Sequence, residues 1–283
     1  MKLPQFFFSI VIPTLNEEKY LPRLLEDLSK QVFTNFEVIH VDGNSDDKTL
    51  QVAKKFSPPL HMKMQTLKDR NVSKQRNLGA TLATGKWVIF MDADNRLSEN
   101  FLLDLSIQLN SSDCHIFTCY MDDKNIPIPD RPIIILSNIW LKISSKIKPF
   151  APGALIGVKS DFLNRVQFDE GLYLSEDFEF VQQAVQNGLH FMVFEQPKYI
   201  YSLRRLKKEG SLKIFRVYAK AQINFFLTDQ KITKPLKDYP MNGGNYYDSV
   251  PKISVSKIQH LIESSSKTQI NKVKSLIQNF SDF

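Results

Sequence analysis

Of 283 residues only two are cysteine, Cys114 and Cys119. Their spacing fits neither a zinc motif nor a redox pair, so both are expected to be packing residues in a reducing compartment. Long apolar runs are also missing. A membrane-spanning helix needs about 20 apolar residues, and Ile133 to Leu141 is too short for that. The opening MKLPQFFFSIVIP has one Lys and no small-residue cleavage site, so it reads as a first strand and not a signal peptide. A soluble or peripheral chain in the cytoplasm is expected. There is no G-x-G-x-x-G and no G-x-x-x-x-G-K-[ST], which removes the dinucleotide fingerprint and the P-loop. No zinc finger, basic zipper or aromatic-basic RNA signature is present, so nucleic acid is not expected as a partner. Internal repeats are absent.

What stands out is Trp87-Val88-Ile89-Phe90-Met91-Asp92-Ala93-Asp94. A continuous apolar run of this length predicts a strand buried on both faces. Two carboxylates follow where it leaves the sheet, the edge at which open α/β sheets bind ligands. Two close anions repel unless something positive joins them. A hard divalent cation carrying a phosphorylated substrate meets that need; a polar turn holding two Asp is the plain alternative.

Strands are predicted at Phe6 to Ile12, Phe36 to Val41, Leu60 to Gln65 and Trp87 to Met91. Between them, helices are predicted at Glu18 to Gln31, Lys48 to Phe56 and Val72 to Thr84, the last closed by Gly85. The alternation predicts an α/β fold: a mostly parallel sheet flanked by helices, with a nucleotide-binding half over about 1–110. Its site should lie where Pro13-Thr14, Asp42-Gly43 and Asp92-Ala93-Asp94 emerge. The half over 111–205 is less regular. Strands are expected at 114–120, 154–158 and 191–194, and a helix at 178–187 opened by Ser175-Glu176-Asp177. Ile133 to Ile147 fits an apolar helix or a surface hairpin. A basic, mostly helical extension is expected over 206–283.

Net charge is +7, and residues 198–237 alone hold eleven Lys or Arg against Glu209 and Asp229. That segment is either a solvated basic face or a contact for a diphosphate, a lipid phosphate or an anionic membrane surface.

Four sets of residues carry possible chemistry. Asp42 could accept hydrogen bonds from a base or ribose. Arg76, early in a helix, could hold a base edge or a diphosphate. Asp92 and Asp94 form the third set. Glu176 and Asp177 form the fourth, where a helix N-terminus favours ionised carboxylates; simple first-turn capping is the competing account.

Taken in order, Ser9 to Glu17, Val41 to Thr49, Arg76-Asn77-x-Gly79, Phe90 to Asp94 and Ser175-Glu176-Asp177 resemble a family 2 glycosyltransferase of the GT-A fold. The resemblance covers about residues 6–200. It implies inverting transfer of one sugar from a nucleotide sugar, UDP favoured, with Mg2+ or Mn2+ on the diphosphate and a saccharide or lipid-linked acceptor. It further implies that Pro13, Thr14, Asn16, Glu17 and Asp42 line the nucleoside pocket and Arg76 supports the nucleotide. Asp92 would face the ribose or sugar and Asp94 the metal. Asp177 would be the catalytic base beside Glu176. Arg204 or Arg205 would reach the diphosphate, and Gly153 and Gly157 would let backbone approach the donor sugar. Asn44 and Lys48 stand where the family carries glycines. The Q-x-x-R-W signature of processive synthases is missing, which points to single-sugar transfer. A phosphatase of the haloacid-dehalogenase type would want Thr or Val where Arg96 stands. A non-catalytic nucleotide-sugar-binding protein is the remaining alternative.

Overall fold

The computed structural model describes residues 5–204 and residue 233. Arg205 and, apart from residue 233, the helical extension expected over 206–283 lie outside the described residues, as does most of the basic segment. Seven strands form one sheet in the order β3-β2-β1-β4-β6-β5-β7. The strands are β1 (Phe6–Thr14), β2 (Phe36–Asp42), β3 (Met62–Thr66), β4 (Gly85–Met91), β5 (Ile116–Met121), β6 (Leu155–Lys159) and β7 (Phe191–Tyr199). The helices are α1 (Leu21–Ser29), α2 (Thr49–Lys54), α3 (Val72–Leu82), α4 (Phe101–Asn110), α5 (Arg131–Ile147) and α6 (Glu176–Gln186).

β1 to β4 are parallel, and every residue of β2 is buried, as the unbroken apolar runs require. The sheet is mixed because β6 runs antiparallel to both β4 and β5. That reversal brings the start of β6 to the edge where β1, β2 and β4 end: Met91 pairs with Leu155, and Thr14 with Asp42. One apolar layer, with Leu21, Leu24, Leu25, Phe101 and Leu105, covers one face of the sheet. The other, with Val11, Val88, Phe90, Phe180 and Val181, covers the opposite face.

Two expectations are corrected, and one left open is settled. Gly85 does not stop α3; Ala83 caps that helix and Gly85 is the first residue of β4. A Cβ there would lie 2.6 Å from the backbone nitrogen of Ser9, so strand contact, not helix termination, accounts for the glycine. Ile133 to Ile147 belongs to one helix, because Ile134, Leu141 and Ser144 recur at helical spacing on its inner side. Gly157 sits inside β6 opposite Ile89, where Phe117 covers it. It is a core position.

At Gly157 a Cβ would lie 2.1 Å from the Phe117 ring. Gly157→Ala should therefore lower stability by about 1–3 kcal/mol through overpacking. Urea unfolding measures this; an unchanged midpoint would mean that the β6–Phe117 contact yields freely.

Candidate active site

The loops after β1 and β2 interlock. The Thr14 hydroxyl donates to Asp42 Oδ1 at 3.0 Å and lies 2.8 Å from His40 Nε2. Burial depresses His40 to about 4, so the ring is neutral and can donate to Thr14. Asp42 also accepts the Ser45 backbone N–H at 2.9 Å and the Ser45 hydroxyl at 2.6 Å. Asn16, at a left-handed φ of 58°, receives the Asp46 N–H on its side chain and donates its own N–H to Ser45. Gln75, on α3, donates to the carbonyls of Thr14 and Val41, each at 2.8 Å. Pro13, Thr14, Asn16 and Asp42 thus gather at one edge of the sheet, with the polar side chains of the last three engaged in shaping the loops. Gln75 has no motif of its own in the sequence; its role follows only from where α3 packs.

Beside these loops lies the carboxylate group, built on Arg76. Its side chain is 3% exposed. One guanidinium nitrogen meets Glu176 at 3.0 Å; the other meets Asp92 at 3.2 Å and the Gly153 carbonyl at 3.0 Å. The Phe168 ring lies 5.1 Å beneath. Burial opposes the positive charge, but Asp92, Glu176 and Asp177 outweigh it and hold Arg76 ionised. α3 comes close enough for this because Gly79 lies against Val11, where a Cβ would sit at 2.2 Å. Arg76 is therefore a buried tie between carboxylates.

Asp177 is held from two sides. Its Oδ2 accepts the Gly153 N–H at 2.7 Å and its Oδ1 the Phe178 N–H at 2.8 Å. Gly153 is required at this approach, since a Cβ would lie 2.8 Å from Arg76 and 3.3 Å from Asp177. Ser175, at φ 68°, turns the chain into α6 without a side-chain cap. Desolvation, then the Glu176 charge, raise Asp177 above the usual carboxylate range; Arg76 and the two N–H donors oppose. Desolvation, with Asp94 and Glu176, also pushes Asp92 upward against Arg76.

A second guanidinium pairs with the remaining carboxylates, Glu17 and Asp94. Arg204, beyond the end of β7, makes a two-point contact with Glu17, with one nitrogen at 2.9 Å. Its Nε lies 2.9 Å from Asp94, and its guanidinium carbon sits 4.4 Å from the centre of the Tyr20 ring. Desolvation lifts Glu17 to about 7, with Arg204 opposing. The paired geometry is that of an ionised Glu17, so its charge depends on Arg204 staying in place. The Asp92–Asp94 loop is fixed from outside: Arg96 grips Asp27 of α1, with one contact at 2.7 Å, and pairs with Ile200 after β7.

Asp92, Asp94, Glu176, Asp177, Glu17, Arg76, Gly153 and Arg204 are thus united around one cleft. Phe168 and Tyr20 are additions with no sequence signal, since each acts through a ring face that only tertiary packing supplies. Among the described residues no group of three His, Cys, Asp or Glu side chains could hold a metal ion by itself. Asp92 and Asp94 are oxygen donors of the kind a hard cation takes when phosphate and water supply its other ligands, and Arg204 pairs with Asp94 here.

A mixed, mostly parallel sheet with a carboxylate pair at the end of its fourth strand defines a GT-A fold, the class of nucleotide-sugar transferases. Residues 9–161 match glycosyl transferase family 2, and the chain belongs to that family. It is 30% identical over 209 residues to the poly(ribitol-phosphate) β-N-acetylglucosaminyltransferase TarS of Staphylococcus aureus (strain Mu50), covering 70% of this chain and 36% of that protein. The chain thus spans about a third of that relative's length. A crystal structure of TarS residues 1–349 with UDP-GlcNAc superposes with a TM-score of 0.55 at 28% identity, over 69% of this chain and 58% of the other. A mannosyltransferase from Pyrobaculum calidifontis, in complex with GDP-Man and Mn2+, superposes with a TM-score of 0.65 at 18% identity, over 82% and 66%. That last likeness is one of fold.

Arg76→Ala should leave Asp92 and Glu176 without their common counter-charge. Breaking a buried pair of this kind typically costs about 3–5 kcal/mol, and the partial exposure of Asp92 places the expected loss at the lower end. Thermal unfolding of Arg76→Ala against Arg76→Lys measures it; a wild-type melting temperature for Arg76→Ala would exclude Arg76 as the tie.

Proposed function

We propose that the chain is an inverting glycosyltransferase that moves one sugar from a UDP-sugar to a hydroxyl of a saccharide or lipid-linked acceptor. The observation that carries this reading is Asp177, buried beside Glu176 and held by the Gly153 and Phe178 N–H groups at the edge where Asp92 and Asp94 emerge. UDP is favoured because a relative in the family was crystallised with UDP-GlcNAc.

Pro13, Thr14, Asn16, Glu17 and Asp42 form the nucleoside side of the cleft, and Asp92 faces the ribose or sugar. Arg76 acts as a positioning residue, fixing Asp92 and Glu176 at once. Asp177 takes the proton from the acceptor hydroxyl as that oxygen attacks the anomeric carbon; the bond to the nucleoside diphosphate breaks on the opposite side. Burial, and then the Glu176 charge, raise the proton affinity of Asp177, which suits a base working near neutral pH. Asp94, with Asp92, would hold Mg2+ or Mn2+, which when bound stabilises charge on the departing diphosphate as a Lewis acid. Arg204 stands beside Asp94 and supplies positive charge to the same leaving group once it leaves Asp94; Arg205 follows it in the chain.

Hydrolysis or transfer of UDP-sugars with Mn2+ tests the activity. Asp177→Asn should reduce turnover about 10²–10⁴-fold, the usual range for loss of a general base, with donor affinity nearly unchanged. Donor binding with no turnover in the wild-type chain would favour a nucleotide-sugar-binding protein instead. By calorimetry, Asp94→Ala should lose the Mn2+-dependent part of UDP binding and keep its fold.

The pH dependence has a definite sign. The base works only when deprotonated, so kcat/KM should fall as pH drops through the raised pKa of Asp177. Glu176→Gln removes the neighbouring negative charge and leaves Arg76 freer to act on Asp177. Both effects lower that pKa, so the acid limb should move to lower pH. A limb that stays put or moves up would separate Glu176 from the base.

A further inference from the structure

Among the described residues, helix α5 packs with its more polar side inward and its apolar side exposed. Its inward positions are Ile134, Asn138, Leu141 and Ser144. Its outward positions are Ile135, Leu136, Ile139, Trp140, Ile143 and Ile147, each 40–65% exposed. Ile128, just upstream, is 73% exposed. Only Val32 and Ile107 stand comparably open elsewhere among the described residues. At 3.6 residues per turn the six outward side chains form one continuous flank, with Lys142 and Lys146 along its border. The usual arrangement of a surface helix is inverted here, because the half-polar side packs inward.

Charge along this helix has one sign. From Arg131 to Lys159 the chain holds Arg131, Lys142, Lys146, Lys148 and Lys159 and no Asp or Glu. Of the acids beside it, Glu195 meets Lys142 at 2.7 Å and Asp123 meets Lys198 at 2.6 Å, while Asp130 precedes the first turn. A second copy of the chain, docked symmetrically on this flank, would set these cations against their own kind. An anionic lipid surface takes both features together. Headgroups match the lysines, and the acyl boundary takes the isoleucines and one face of the tryptophan. The helix has 17 residues, and no helix among the described residues is long and apolar enough to cross a bilayer. It would therefore lie in the membrane plane.

We infer that α5 is a membrane-docking helix whose partner is the surface of an anionic lipid bilayer. From Ile147 the chain runs through Pro149–Pro152 to Gly153, the residue that holds Asp177. Docking through α5 thus brings the carboxylate cleft close to lipid-linked material. The inference goes beyond the proposed transfer, and its test needs neither donor nor acceptor.

The full chain is sedimented with vesicles of phosphatidylglycerol and phosphatidylcholine, and with phosphatidylcholine alone. Binding should require the anionic lipid and weaken with salt as screening increases. Ile139→Glu combined with Ile143→Glu should reduce partition more than about tenfold, because both side chains lose apolar burial. Lys146→Gln should reduce it about fivefold. Trp87 is buried and Trp140 is 41% exposed. A vesicle-induced blue shift of tryptophan fluorescence should therefore vanish in Trp140→Phe. Circular dichroism melts establish that each variant is folded; if the double Glu variant is not, Lys146→Gln and Trp140→Phe decide. No binding to anionic vesicles at low salt, equal binding to neutral ones, or undiminished binding by the folded variants would overturn the inference. So would sedimentation velocity showing that the Glu substitutions dissolve a dimer while vesicle binding is unchanged.

Discussion

Five carboxylates crowd one edge of the sheet, and the buried guanidinium of Arg76 lets three of them stay there. Asp92 and Glu176 touch it directly, and Asp177 feels its charge. Without it the ends of β4 and α6 would repel each other and the site would open or take up protons. Much of the surrounding architecture serves that one side chain. Gly79 allows α3 to press on β1, Gly153 leaves room for the guanidinium, and Phe168 lies beneath it.

Arg204 repeats the logic at the outer side of the cleft, with different consequences. It is bound to Glu17, Asp94 and the Tyr20 ring, so it joins the start of α1, the loop after β4 and the chain beyond β7. The Asp94 carboxylate is thereby paired by a side chain of the protein itself. The Arg204 side chain is 15% exposed at this position. Arg76, in contrast, is enclosed.

The reversal of β6 is what lets residues remote in sequence share one cleft. A fifth parallel strand would place its start at the far edge of the sheet. Running antiparallel, β6 begins beside Met91, and the Asp92 N–H reaches the Ala154 carbonyl at 3.1 Å. Gly153 then sits between Arg76 and Asp177, with the last turn of α5 a few residues before it. The outward apolar side of that helix and the carboxylate cleft are consequently neighbours along the chain.

The sequence by itself determined the alternation of strands and helices through Met91, because buried parallel strands leave unbroken apolar runs and amphipathic helices leave a 3.6-residue period. It also placed Asp92, Asp94, Glu176 and Asp177 at element ends, where the structure has them. Tertiary structure alone decided what holds them. Arg76 could have met a base edge or a diphosphate on sequence grounds, and only the packing of α3 turned it inward. Gly85 and Gly157 look like a helix stop and a ligand-facing glycine until neighbouring strands supply the atoms that exclude a Cβ. Helix or hairpin at Ile133 to Ile147 stayed open because an apolar run that faces outward carries the same periodicity as one that faces inward. Periodicity records which residues share a side; the rest of the fold decides what that side meets.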